Sequence, residues 1–383
     1  MSDQFQQVRR MLGPGREIVL EPSSPIYRGP YTSQVIGVSD DGVRIRVPLD
    51  RGRIVLLPVG TRVGVVVRGD GGSTRADAVI VDRTGGRDRS LLLSAAPRED
   101  VRPKEERVTG CPIVAVSSGK GGVGKTTLVA NLAIALSRLG KRTCIIDGDL
   151  GTANVDVLLN LSPPFNLAHV IHGERHMLEI LVEGPEGVIV LPGGSGFQDL
   201  TTLDRTSFEA LMDQFLELEA YSDYILIDTG SGLSPSVTNF VLAAGEGLLI
   251  TTPEPHAVMD CYALIKVLAS QGFEGKLGLV INRVESESEG REVGRKMMFA
   301  SERFLGMELE VVGCIPDDPA VPRSVRRQIP VIIDDPRSRA GQQFVRIAER
   351  LIGVEVEETH RSPAGFGFLE RMRRLFPLGK TGA

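Results

Sequence analysis

Cysteine is nearly absent: Cys111, Cys144, Cys261 and Cys314 are scattered through 383 residues with no paired spacing. That pattern offers neither a disulfide framework nor a thiolate metal site, and it disfavours an iron–sulfur carrier, which would want closely spaced cysteines. No run of 18 or more apolar residues and no basic-then-apolar leader occurs, so the expectation is a cytoplasmic protein without a transmembrane span. Positive charge is not in excess either. The chain carries 44 basic and 49 acidic residues, a net charge of -5, so any affinity for nucleic acid or anionic lipid has to be local. Histidine is scarce, and His172 and His176, four apart as on one helix face, have no evident third metal ligand.

What is present is the make-up of a globular protein, 42% hydrophobic and 24% charged, and long enough for two cores. The stretch that organises the rest begins with an apolar run, Ile113 to Val116, of buried-strand type. A Gly-rich turn follows, and then Leu128, Val129, Leu132 and Leu136 recur at helical spacing. Gly119, Lys120, Gly121, Gly122, Val123, Gly124, Lys125, Thr126 and Thr127 make up the loop. Gly119 and Gly124 frame four residues before Lys125-Thr126, which is Walker A spacing. Glycines let successive amides converge on one concavity, and the helix adds its N-terminal dipole, so the stretch suits phosphate. Lys125 is placed to reach the terminal phosphates and the Thr126 hydroxyl to ligate Mg2+. Lys120 is a second cation, surplus to holding one nucleotide. No second loop of this kind occurs, so two active sites require two chains.

Two carboxylates, Asp147 and Asp149, follow the next apolar strand and point the same way in an extended segment. Beside a phosphate loop, such groups hold a magnesium water or orient the water that attacks the γ-phosphate. A later apolar strand ends in Asp228, followed by Thr229-Gly230-Ser231-Gly232, which reads as a Walker B carboxylate before a movable loop.

In chain order, residues 1–12 form a short amphipathic helix with Phe5, Val8 and Leu12 on one face. Residues 13–97 give short β-rich runs separated by Gly turns, the mark of a small all-β barrel or sandwich. Arg83 and Arg87 have the RxxxR spacing with which PilZ domains, which this stretch resembles, hold cyclic di-GMP, but their DxSxxG partner motif does not follow, so the resemblance implies a protein-contact or regulatory module over a cyclic di-GMP site. Residues 98–110 are a charged, proline-bearing linker. Over 111–356 apolar strands alternate with helical patterns, giving an α/β fold with a doubly wound, mostly parallel sheet and ligands at the carboxyl ends of its strands. Within 357–383, Phe368, Leu369, Met372, Leu375 and Phe376 share one helix face, flanked by Arg371, Arg373 and Arg374, with Lys380 beyond. That pattern suits an anionic membrane surface, weakly for one copy and more strongly for two joined copies. The competing reading is a terminal helix docked on its own domain.

The string KGGVGKTT resembles the deviant Walker A of the MinD/ParA ATPases. The stretches DGDLGTANVDVLL, LPGGSG, DTGSG and TTPEPHAVMDCYALIK look like the flagellar number regulators of the FlhG/FleN/YlxH family, and residues 13–97 look like a PilZ-N type barrel. The resemblance implies an ATP- and Mg2+-dependent ATPase that forms a homodimer with ATP, Lys120 reaching the partner's nucleotide. It implies Asp149 as the residue orienting water, Asp147 and Asp228 as outer-shell magnesium partners, and Asn282, Pro316, Asp317 and Asp318 at the adenine. Asp3, Gln4, Val8 and Arg9 resemble the DQAxxLR segment that stimulates the FlhF GTPase. The implied output is control of flagellum number and placement through FlhF, motor components and reversible attachment to the inner face of the cell membrane, with no specific nucleic acid. Competing readings are a MinD-like septum-site or ParA-like DNA- or cargo-positioning ATPase, and a scaffold that binds nucleotide without hydrolysing it.

Overall fold

A computed structural model describes residues 3–23, 29–50, 53–55, 57, 61–69, 72–84, 90–95, 111–149, 154–194, 205–356 and 364–375. The chain divides into two units, Met1–Val108 and Thr109–Ala383. The linker expected over 98–110 lies outside the described residues.

The first unit opens with helix α1 (Asp3–Met11) and continues with strands β1 (Glu17–Pro22), β2 (Tyr31–Ser39), β3 (Gly42–Arg46), β4 (Leu49–Asp50), β5 (Arg53–Ile54), β6 (Arg62–Gly69), β7 (Gly72–Thr84) and β8 (Ser90–Ala95). Six of them close into an antiparallel barrel in the order β1-β2-β3-β8-β7-β6, with β6 returning to pair with β1. Ile18 and Leu20, Val43 and Ile45, Val63 and Val65, and Leu91 and Leu93 are buried at alternate positions. This is the period of two that a side-chain-filled barrel requires. The two-residue pair β4–β5 was not expected, because strands so short show no periodicity.

Nine residues are too few to hold a helix in water, so α1 needs a surface. It takes the barrel's: α1 packs on β6 and β7, and Phe5, Val8 and Leu12 are buried. This corrects one expectation. Val8, assigned to a partner-binding segment, belongs to the core of its own unit. Gln4 is exposed, and Arg9 is paired with Asp40 at 3.1 Å. Asp3 starts the helix, but its side chain, that of Arg83 and the whole of Arg87 lie outside the described residues.

The second unit runs β9 (Ile113–Ser118), α2 (Lys125–Arg138), β10 (Thr143–Gly148), α3 (Val155–Leu158), α4 (Leu167–Ile171), α5 (Met177–Ile180), β11 (Val182–Glu183), β12 (Ile189–Leu191), α6 (Arg205–Tyr221), β13 (Tyr224–Ser231), α7 (Pro235–Ala244), β14 (Glu246–Thr251) and α8 (Pro255–Ser270). It ends with β15 (Lys276–Val284), α9 (Glu287–Leu305), β16 (Glu310–Pro316), α10 (Ala320–Arg326), α11 (Val331–Asp334), α12 (Arg339–Val356) and α13 (Ala364–Leu375). The sheet order is β11-β12-β10-β13-β9-β14-β15-β16, parallel throughout except at the β11 edge. From β9 the chain crosses to β10 on one side and later returns to β14 on the other. The strand order therefore reverses at β9, where a crevice opens beyond the carboxyl ends. Leu128, Leu132 and Leu136 of α2 are fully buried, each worth about 1.5–3 kcal/mol, which fixes the helix whose N-terminus faces that crevice.

The terminal helix is docked. The last turn of α7, Phe240–Ala244, is apolar on every side, with Phe240, Val241 and Ala243 buried, so the helix needs cover on its outer side. Helix α13 supplies it: Phe368 and Met372 are buried, and Arg371 donates from Nε to Ala243 O at 2.8 Å and from Nη2 to Ala244 O at 3.2 Å. Asn239 Nδ2 of α7 donates in turn to Leu375 O at 3.3 Å. Phe368, Met372 and Arg371, expected at a lipid surface, are therefore occupied by the domain itself. Arg374 is exposed, while Phe376, Lys380 and the side chains of Leu369 and Arg373 lie outside the described residues. Replacing Met372 by Asp is expected to undock α13, since an unpaired charge does not survive in that contact. Hydrogen exchange should then rise by at least tenfold over 364–375 and stay unchanged over β13 and β14; unaltered protection of α13 would refute the docking.

Candidate functional site: a nucleotide cleft at the sheet switch point

All six residues of β9 are buried, so the loop that follows is anchored from below. Gly119 lies so close to α8 that a Cβ there would collide with the carbonyl oxygen of Asp260. Gly124 has φ 98°, and a Cβ would lie 2.5 Å from Asn282 Nδ2. Only glycine fits both positions. From this cradle α2 begins at Lys125, with its first amides turned into the crevice.

The loop's two lysines take opposite directions. Lys125 turns inward and is buried, its Nζ donating to Asp228 Oδ1 at 2.8 Å. Lys120 turns outward, and its Nζ lies 2.9 Å from Glu254 Oε2, just ahead of α8. Sequence reasoning missed Glu254, because 134 residues separate the two groups.

Asp147 and Asp228 lie toward the carboxyl ends of neighbouring strands and are direct register partners across β10 and β13. Both are buried. Burial pushes the Asp147 carboxyl from its ordinary 3.8 up to about 7, reinforced by the charge of Asp228 and opposed by the amides of Asp149 and Val155. Burial also raises Asp228, held back by the ammonium of Lys125 and by hydrogen bonds from Lys125 and Thr126. The second oxygen of Asp228, Oδ2, is buried without a hydrogen-bond partner. Two adjoining buried carboxylates, a threonine hydroxyl and an orphan oxygen fit a divalent cation and its waters, which would relieve the repulsion that these groups otherwise bear.

A cleft of about 960 Å³ opens above them, lined among others by Gly121, Gly122, Lys125, Thr126, Thr127, Asp149, Asn282, Pro316 and Asp317. The expected loop, water-orienting and adenine-side residues thus converge, whereas Lys120 stands at Glu254 and Val123 is buried beneath the loop. Asn282 spends its amide differently from the expectation: Nδ2 donates to Val123 O at 2.7 Å, bracing the loop from the end of β15. Asp318, expected with Pro316 and Asp317 beside the adenine, caps internally instead, accepting from Ala320 N at 2.9 Å and Ala340 N at 3.1 Å. Arg283, unforeseen, lines the cleft with φ 57° where β15 bulges, a left-handed backbone costing about 1–3 kcal/mol in a non-glycine residue. His172 and His176 do not share a helix. His172 ends α4, and His176 caps the start of α5 through Leu178 N at 3.4 Å.

The Asp147 shift has a measurable sign. A carboxyl whose pKa is higher in the folded state contributes stability that is fully present below pH of about 4 and is lost as the pH rises through about 7. The upper bound is about 4 kcal/mol. Glu219, whose buried carboxyl is also pushed up to about 7, acts with the same sign. Replacing Asp147 by Asn is expected to flatten the fall in thermal midpoint of the nucleotide-free protein between pH 5 and 7; parallel curves would contradict the assignment.

A glycine cradle between a buried strand and a helix N-terminus, with a buried lysine and paired carboxylates at adjoining strand ends, defines a P-loop nucleotide-binding protein of the doubly wound class. The family model for the CobQ/CobB/MinD/ParA nucleotide-binding domain matches residues 114–331, and the chain belongs to that family. Residues 13–95 match the family described as flagellar protein YcgR. Over 260 residues the chain is 38% identical to the antiactivator FleN of Pseudomonas aeruginosa, a match covering 68% of this chain and 92% of FleN. It is 35% identical over 219 residues to the flagellum site-determining protein YlxH of Helicobacter pylori, covering 56% of this chain and 73% of YlxH. The septum site-determining protein MinD of Pyrococcus horikoshii, solved with Mg-ADP, superposes with a TM-score of 0.52 at 25% identity, over 65% of this chain and all of that one.

Proposed function

We propose that this protein is an ATP-dependent switch that sets flagellum number and placement, pairing with a second copy when ATP is bound and separating after hydrolysis. The observation that carries the reading is that Lys125, Thr126 and Asp149 line one cleft while Asp147 and Asp228 lie buried beside it as register partners, Asp228 held by Lys125. The flagellum site-determining protein YlxH and the match of residues 13–95 to flagellar protein YcgR support the flagellar output, and the antiactivator FleN supports a regulatory one.

In this reading the loop amides and Lys125 bind the β- and γ-phosphates, and Asn282, Pro316 and Asp317 border the base. Thr126, with Asp147 and Asp228 acting through water, would hold Mg2+, which supplies charge neutralisation of the phosphates when bound. Asp149 orients the attacking water from the end of β10. Gly230 and Gly232, after Asp228, let the β13–α7 connection respond to loss of the γ-phosphate. Lys120 contacts the partner copy's nucleotide and makes pairing depend on it.

The β13–α7 connection leads straight into the helix that carries α13. A shift of α7 would release Phe368 and Met372, and two such helices on one pair gain roughly 10²-fold or more in avidity for an anionic surface. Partner contact with an FlhF-type GTPase runs through the exposed side of α1, where Gln4 lies, and not through Val8. Co-sedimentation with vesicles containing phosphatidylglycerol tests the switch. The full chain is expected to pellet with Mg2+ and ATP and to stay in the supernatant with ADP. Equal binding in both states would remove nucleotide control from the account.

A further inference from the structure

The outward lysine of the phosphate loop is not idle. Gly119, pressed against the Asp260 carbonyl, seats the start of the loop on α8, which brings Lys120 to the N-terminal end of that helix. Glu254 occupies the N-cap position of α8, yet its carboxylate makes no cap hydrogen bond and instead meets Lys120 Nζ at 2.9 Å. Arg283 and His256 are close enough to act on the same carboxylate, which is held below its ordinary range chiefly by the hydrogen bond from Lys120. One acid thus stands among several basic groups, of which Arg283 lines the cleft.

The geometry points to Glu254 as a positioning residue that parks Lys120 away from the nucleotide until a stronger anion draws it off, so that it sets the nucleotide level at which two copies pair. The pairing half of this inference rests on the function proposed above; the parked lysine does not. An exposed ion pair is weak, which is what a releasable catch requires. A polyphosphate carries several negative charges against one and outcompetes it.

The variant Glu254→Gln keeps the side chain's shape and removes its charge. In nucleotide-free protein, trace acetylation read by mass spectrometry is expected to modify Lys120 about 2–5-fold faster in the variant, the size an exposed pair supports, with Lys125 unchanged. The concentration of non-hydrolysable ATP analogue giving half-maximal pairing should fall by a similar factor. In a Lys120→Ala background, Glu254→Gln should then have no effect. Unchanged acetylation of Lys120 would overturn the parking contact. Faster acetylation with an unchanged or raised pairing threshold, or an effect that persists without Lys120, would overturn its control of pairing. If the unmutated protein never pairs, the proposed function fails, and the acetylation rate alone decides whether Glu254 holds Lys120.

Discussion

Asp149→Asn is expected to slow ATP hydrolysis by about 10²–10⁴-fold while leaving ATP affinity within about threefold. The expectation follows from where the neighbouring acids sit. Asp147 and Asp228 are sealed beneath the loop, and one of them is already engaged by Lys125. Asp149, two residues beyond Asp147, lines the open cleft and lies near Gly230 towards the end of β13. Of the three carboxylates it alone lines the cleft, which is why the proposed function gives it the attacking water. Asparagine keeps the size and can accept a hydrogen bond, but it does not provide the charge that orients and activates water. Phosphate release measured beside binding of a fluorescent ATP analogue separates the two effects. If binding falls as steeply as turnover, Asp149 holds the nucleotide and does not act on the water.

Lys125→Ala should do more damage, and of two kinds. Its ammonium is 8% exposed and its partner Asp228 is 0% exposed, so removing it leaves a buried carboxylate without its countercharge. Breaking such a pair costs about 3–5 kcal/mol, and ATP affinity is expected to fall by at least about 10²-fold. The stability loss should depend on pH. Burial already pushes the Asp228 carboxyl upward, and without the opposing charge of Lys125 the group escapes the penalty by protonating at lower pH. Urea denaturation should therefore show a larger deficit at pH 8 than at pH 5. Adding Asp228→Asn to Lys125→Ala should recover most of the stability and none of the nucleotide affinity. A deficit independent of pH would mean that the lysine's aliphatic stem, and not its charge, carries the effect.

The features legible in the sequence are those fixed by short-range order. The strand–loop–helix at 113–136 announces itself through spacing, and Asp147 and Asp228 are found because each ends an apolar run. The barrel strands follow from alternation and from glycine-bearing turns. Features decided by what covers an apolar face were not legible. The stripe on α1 and the stripe on α13 mark each helix as needing a surface, but not whether that surface is its own unit, a partner or a bilayer. A signal for α13 did exist: residues 240–244, more than a full helical turn, are all apolar, which leaves α7 short of one neighbour. Contacts between distant side chains were equally hidden. Glu254 and Arg283 look like ordinary loop residues until β14 and β15 are set side by side. The bracing amide of Asn282 shows the same limit, since its position was read from the strand end and its hydrogen-bond partner was not.

The account depends most on two copies closing over bound nucleotide. Multi-angle light scattering on the full chain at saturating Mg2+ and a non-hydrolysable ATP analogue tests this most directly. The account predicts about twice the mass of the 41.3 kDa chain, reverting to a single chain with ADP or in Lys120→Ala. A single-chain mass under every nucleotide condition, or pairing that is indifferent to Lys120, would contradict it.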